Sequence, residues 1–377
     1  MDFGFSEEQE LLRNQARDFL DRHSDSKAVR RLLDDEVGYD PATWKRMAEL
    51  GWTSVPFPEE HGGLGLGLVD LVVVLEETGR HVTPSPLQSS VGLAGMVVLR
   101  SGSEAQRAEL LPGIADGSRR ATVAVAEESG RWDSGGVALQ ARRSGDAWLL
   151  SGEKMFVPDA QGSDWMVVAA RSSQSASDGV TLLVVPTDAP GISIRRMHSM
   201  DQTQRLARVA FDGVEVPVES VLGEPDGGAA ALRHALEATL VCVSAELCGV
   251  AQRALEMSVD YAKTRQQFGR PIGSFQGVSH KCADMLVLTE SAKSLTYFAA
   301  WAIDNDAPEA AMAAAMAKAY AGDAARQVTA MGIQVHGGIG FTWEHDMHLY
   351  FKRARWGDAV HGDSRFHRER VADMLEL

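Results

Sequence analysis

The chain has 377 residues, more than one compact core ordinarily holds, so two or three packed units are expected. Hydrophobic residues make up 45% and charged residues 24%, an ordinary globular composition. A net charge of −15 argues against nucleic acid as the main partner, since phosphate binding needs a basic face, although a few local arginines suffice for an anionic cofactor.

The first ten residues, MDFGFSEEQE, are acidic and lack the apolar run of a signal peptide. Residues 1–118 read as a helical domain. Ser6 with Gln9 forms a capping-box pattern, and Leu11, Leu12, Gln15, Ala16, Phe19 and Leu20 follow at helical spacing. Asp40-Pro41 opens another helix and Gly51 closes it, and Ser103 with Gln106 repeats the capping box. HGGLGLG, 61–67, lacks dinucleotide-loop spacing and follows a helix, so it reads as a flexible turn.

Residues 119–224 change character. ATVAVAEE, AWLLSGEKMFV, WMVVAAR, VTLLVVPT, ISIRRM and ARVAFDGVEVP are short, rich in Val, Ile, Leu and Trp, and bounded by turn residues. With no helices between them, they predict an antiparallel β-barrel or sandwich rather than a parallel sheet with helical crossovers.

Residues 225–377 return to helices, at roughly 228–265, 274–305, 308–334 and 363–377 with a shorter one before the last, as in an antiparallel four-helix bundle. The fold class is therefore α+β. Cys242, Cys248 and Cys282 show no C-x-x-C spacing and read as buried free thiols of a reducing, cytoplasmic compartment. No stretch is expected to span a membrane, and His345 and His348 read as surface residues because no third metal ligand accompanies them.

Two stretches carry chemistry. In YAKTRQQFGRPIGSFQ, 261–276, Tyr261, Arg265 and Phe268 recur at helical spacing before glycines break the helix, and Gln276 opens the next one. An arginine beside an aromatic at a helix end suits bidentate phosphate contact, although a surface ion pair would look the same. In QVHGGIGF, 334–341, Gly337 and Gly338 let a ligand approach the backbone and expose N–H groups, and Gln334 offers an amide; a plain helix cap is the alternative.

In order and spacing these stretches resemble the acyl-CoA dehydrogenase family. So do the helical–β–helical order, GEKMFV, AEL-x-G at Ala245–Gly249, and FKRAR before the closing segment. The resemblance covers nearly the whole chain. It implies FAD as cofactor, an acyl-CoA substrate, α-proton removal with β-hydride transfer to flavin, and electron-transfer flavoprotein as acceptor. It assigns FAD contacts to Arg265, Phe268, Gln276, Gln334, Gly337 and Gly338.

The same resemblance exposes losses. The family's basic glutamate, in Tyr-Glu-Gly-Thr, falls on His361 within Val360-His361-Gly362-Asp363. Its other known location falls on Thr239, followed by Leu240 where an arginine is usual. Glu237, about 200° round the helix, is expected to face away from that position. The Thr-Glu-Pro-x-x-Gly-Ser-Asp run falls on Ala126–Asp133 with Trp132 for Ser, and Trp-Ile-Thr falls on Phe156-Val157-Pro158. The retained motifs reach a partner subunit's FAD in this family, whereas the lost ones hold the chain's own flavin ring. This pattern implies a base-less subunit of a hetero-oligomer, such as a heterotetramer with a homologous catalytic dehydrogenase. Two alternatives stand beside it: a self-sufficient enzyme with His361, or next Asp363, as base, and a non-enzymatic CoA-thioester scaffold. WGDAVHGDSRFHR, 356–368, also places Asp363 and His367 one helical turn apart, which predicts a local ion pair with Arg365 and Arg368 solvated.

Overall fold

The computed structural model describes residues 5–173 and 179–377; the first four residues of the acidic N-terminal stretch and residues 174–178 lie outside the described residues. The helices are α1 Glu7–His23, α2 Ser26–Leu32, α3 Pro41–Glu49, α4 Leu68–Arg80, α5 Met96–Ser101, α6 Glu104–Ala115, α7 Gly228–Thr264, α8 Gln276–Asp304, α9 Ala310–His336, α10 Met347–Ala359 and α11 Ser364–Met374. The strands are β1 Ala121–Ala124, β2 Gln140–Ser144, β3 Ala147–Pro158, β4 Trp165–Arg171, β5 Val180–Pro186, β6 Ile192–Met197, β7 Leu206–Pro217, β8 Val221–Leu222, β9 Gln266–Gln267 and β10 Arg270–Pro271. The helical–β–helical order read from the sequence is the observed one.

The predicted caps form. Ser6 accepts from Gln9 N and Gln9 returns the bond, Ser103 and Gln106 do the same, and Asp40 caps α3 ahead of Pro41. By packing, the chain divides into two compact units. One contains the N-terminal segment to Arg31, Leu68–Thr83 and Leu240–Leu377; the other contains Leu32–Gly67 and Pro84–Thr239.

In the first unit α9 packs against α8, α10 and α11, and α4 packs against α1 and α8. The alanines of α9 are buried along its length, so neighbouring helices approach closely. The closest approach is between α4 and α7. A Cβ on Gly249 would lie 1.8 Å from Glu76 O, and one on Gly79 would lie 2.0 Å from Glu246 O. Glycine is required at both positions because backbone meets backbone. α7 contains a window long and apolar enough to cross a membrane by length and composition, but 89% of that window is buried within the protein, as in a core helix.

The second unit is built on a sheet of order β6-β7-β3-β2-β4-β5-β8, with β1 added alongside β4. Its core includes Leu150, Met166, Val168, Leu183, Val209 and Phe211. Most pairings are antiparallel as expected, but β1 runs parallel to β4, and β2 meets β4 in parallel at Gln140 and Arg171, so the sheet is mixed. The stretch 61–67 is not loose: Gly63 N bonds Pro58 O, Leu64 N bonds Ser54 O and Gly65 N bonds Phe57 O.

Candidate functional site

The end of α7 and the end of α9 meet. The Tyr261 ring stacks on His336 with centroids 4.7 Å apart. His336 Nδ1 bonds Gly332 O at 2.7 Å, and burial lowers the pKa of its ring. His336 in turn lies 4.5 Å from the His345 ring, and His348 packs against Trp343. His345 and His348 are therefore half-buried and buried members of an aromatic cluster, not surface residues. Beyond Tyr261 the chain forms a two-residue hairpin of β9 and β10, with Phe268 and Gly269 both at positive φ. Phe268 projects into solvent at 92% exposure, 6.0 Å from the Phe275 ring that Arg270 covers.

This geometry brings the two motif stretches together while leaving their polar ends outward. Arg265, Gln276, Gln334, Gly337 and Gly338 are all exposed. Arg265 has no carboxylate partner among the described residues, so the ion-pair alternative does not apply. A Cβ at Gly337 or Gly338 would meet nothing within 4 Å. One expectation changes: the Gly337 N–H is engaged in capping α9, donating to Gln334 O and Ile333 O. A helix C-terminus also carries negative dipole charge, so the glycines supply close approach and the positive charge must come from arginine.

The corner at 356–368 is the opposite, with His361, Ser364 and His367 buried in it. Lys318 of α9 is fully buried and donates to Asp358 O at 2.9 Å and Gly362 O at 2.8 Å. Burial draws its pKa down to about 8. His361 sits above it with φ of 57° and is 4% exposed. Burial, then the Lys318 ammonium and His367, hold the pKa of His361 at about 3. His367 is also buried and neutral, its Nε2 3.0 Å from His361 O and its pKa near 3. The expected Asp363–His367 ion pair is therefore absent among the described residues. Asp363 caps α11 by accepting from Phe366 N at 2.8 Å, and Arg365 and Arg368 are exposed as expected, Arg368 also pairing with Asp323. A conjugate acid near pKa 3 makes imidazole a weak acceptor for a carbon-bound proton.

The earlier-helix alternative is also closed. Thr239 Oγ1 donates to Gly92 O and Ala235 O. Glu237 is 5% exposed, with its carboxylate 3.3 Å from His234 Nδ1.

In the β unit, the run 126–133 is held by its glutamate. Glu127 Oε1 accepts from Lys154 Nζ at 2.7 Å and from the N–H groups of Ala138 and Leu139, both at 2.9 Å. Lys154, the lysine of GEKMFV, is fully buried and also donates to Val125 O. Burial lowers its pKa to about 8 against the pull of Glu127. Ala126 is a buried methyl where a hydroxyl is usual, and Arg131 is paired to Asp133. Trp132 lies 6.5 Å from the Phe156 ring, and the Phe156 N–H is directed at Met197 Sδ. Pro158 has no N–H, and its carbonyl accepts from Thr122.

Comparison with known proteins gives this architecture a family. Residues 6–118, 122–214 and 226–376 match the acyl-CoA dehydrogenase N-terminal, middle and C-terminal domains. The chain belongs to the acyl-CoA dehydrogenase family. Among its relatives, acyl-CoA dehydrogenase IpdE2 of Mycolicibacterium smegmatis is 34% identical over 96% of both chains. The steroid ACAD Tcur3481–Tcur3483 is similar in structure at TM-score 0.89 and 34% identity, with 98% of both chains covered. The ChsE4–ChsE5 complex of Mycobacterium tuberculosis gives TM-score 0.90 at 27% identity, covering 100% of this chain and 99% of that one.

This acyl-CoA dehydrogenase is of an FAD-dependent oxidoreductase family, and its two units fit that cofactor unequally. The bundle end offers an unpaired guanidinium, an amide and open glycines, as a diphosphate requires. The β wall offers a methyl, a proline and an N–H already aimed at sulfur, which do not match the polar edge of a flavin ring. Sequence reasoning missed Lys154 and Lys318. The signal for Lys318 was its place in the otherwise apolar run AAMAAAMAKAYAG.

Proposed function

We propose that this chain is the base-less subunit of a hetero-oligomeric acyl-CoA dehydrogenase, completing an FAD site on a homologous catalytic partner, as in a heterotetramer. The observation that carries this reading is the one-sidedness of the site. The six residues assigned to a partner's FAD are exposed and ready, while both base positions are closed and the own-ring wall has lost its donors. Random decay would damage both halves alike.

In this reading Arg265 and Gln334 hold the diphosphate side, and Gly337 and Gly338 leave room for it. FAD, when bound, supplies the hydride acceptor, and the partner supplies the base for the α-proton of the acyl-CoA. Electron-transfer flavoprotein then takes the electrons. The steroid ACAD among the relatives makes ring-bearing acyl groups the first substrates to test. His361 as a relocated base is disfavoured by its burial above Lys318.

The test is the visible spectrum of the chain purified alone and after co-expression with a homologous dehydrogenase. A colourless lone chain and a yellow, active complex are expected. A lone chain with one FAD per subunit and full activity overturns the proposal; a complex that binds acyl-CoA without flavin points to the scaffold alternative instead.

A further inference from the structure

We propose that His61, Glu60 and Glu104 form a binding site for one divalent cation of the zinc class. None of these residues belongs to the flavin or acyl-CoA chemistry described above. His61 ends the short 3-10 turn Glu59–His61 that leads into HGGLGLG, and Glu104 is the first residue of α6. One nitrogen of His61 and one oxygen of each glutamate lie within 4.8 Å of one another. His61 Nε2 is 3.5 Å from Glu104 Oε1 and 3.9 Å from Glu60 Oε1.

These separations are too long for hydrogen bonds of full strength. They are close to what two donors need around a shared ion: bonds of roughly 2.0–2.2 Å at tetrahedral angles put neighbouring donors about 3.3–3.5 Å apart. The carboxylates can make the remaining adjustment, since their side chains are 73% and 72% exposed. The imidazole cannot move as freely. Its side chain is only 3% exposed and its ring is held with Nε2 toward the two carboxylates.

The ring nitrogen that faces the carboxylates makes the case for a ligand. His61 Nδ1 is buried and has no hydrogen-bond partner among the described residues. A neutral ring with its proton on Nδ1 leaves the Nε2 lone pair facing two carboxylates, which repel it. A neutral ring with its proton on Nε2 gains only a long contact to Glu104. A cation between the three groups removes the repulsion at Nε2, because neutral imidazole nitrogen and carboxylate oxygen are both ordinary donors to zinc-class ions. Arg107, whose Nη1 is 3.9 Å from Glu104 Oε2, approaches the oxygen that does not face His61.

The backbone holds the donors ready. Gly62, at φ of 79°, closes the turn by donating to Glu59 O, and the Ser103–Gln106 capping box fixes the start of α6. A bound ion would therefore clip the turn to α6.

The experiment is calorimetric titration of the full chain, freed of metal with a chelator, using Zn²⁺ as the probe, beside a Glu60→Gln/Glu104→Gln double variant. Both substitutions are at exposed side chains, so folding is preserved and circular dichroism checks it. The expected result is one tight equivalent in the wild type that weakens at least a hundredfold in the double variant. A zinc anomalous peak beside His61 Nε2 in soaked crystals and a zinc-dependent rise in melting temperature confined to the wild type should accompany it. Equal titrations of the two proteins, or a peak only at other histidines, mean an adventitious ion only and overturn the site.

Discussion

The end of the helical bundle and the wall of the β unit treat their polar groups in opposite ways. At the bundle end the side chains of Arg265 and Gln334 stand outward with no side-chain partner among the described residues, beside the open Gly337-Gly338 turn and the Tyr261–His336 stack. In the β wall the polar groups are turned inward and satisfied: Glu127 accepts three bonds, and Lys154 lies fully buried beneath it. A surface kept open at the cost of unpaired charge is one that expects a ligand. A surface whose donors are internally paired has stability as its main role.

The contrast can be broken most forcefully at Glu127. Glu127→Ala leaves the buried Lys154 ammonium without its carboxylate, and losing one member of a buried pair costs about 3–5 kcal/mol. Chemical denaturation should show that loss; a change under about 1 kcal/mol would mean the wall is not held this way. The sealed corner at 356–368 should respond to acid. Both His361 and His367 have folded-state pKa values near 3 against an ordinary 6.5, so the unfolded chain binds more protons between those values. Stability is therefore full above about pH 6.5 and falls as pH drops, on the order of 2 kcal/mol per histidine by about pH 5. His361→Asn, which tolerates positive φ, should remove about half of that acid loss. An unchanged profile would show that His361 is not buried neutral.

The open surface should show the reverse behaviour. Arg265→Ala should leave the melting temperature unchanged but weaken flavin retention in the complex roughly ten- to a hundredfold, the worth of a charge-assisted contact. Equal flavin occupancy in mutant and wild type would contradict the trans role. The smallest effect is expected for His361→Asn on catalysis: activity per bound flavin in the complex should stay within about threefold. A loss of orders of magnitude would restore His361 as the base.

Much of this was legible in the sequence, for physical reasons. Capping boxes at Ser6 and Ser103 and the Asp40-Pro41 start are local codes, and each folds as written. The parallel pairing of β1 with β4 was not legible, because strand spacing carries no information about which distant strand becomes a neighbour. The same limit explains the histidines. His345, His348 and His367 are polar letters in the sequence, and only tertiary packing decides that the first is half-buried and the other two buried.

The glycine of AEL-x-G is a signature of descent. At Gly249 the α7 backbone leaves no space for even a methyl against Glu76 O, and Gly79 makes the reciprocal demand. Any lineage that keeps this helix crossing must keep the letter, whether or not its members still perform the reaction. The residue that most readily reveals kinship is therefore silent about competence. An inventory that sorts such chains by shared signatures will count silent subunits among the working enzymes.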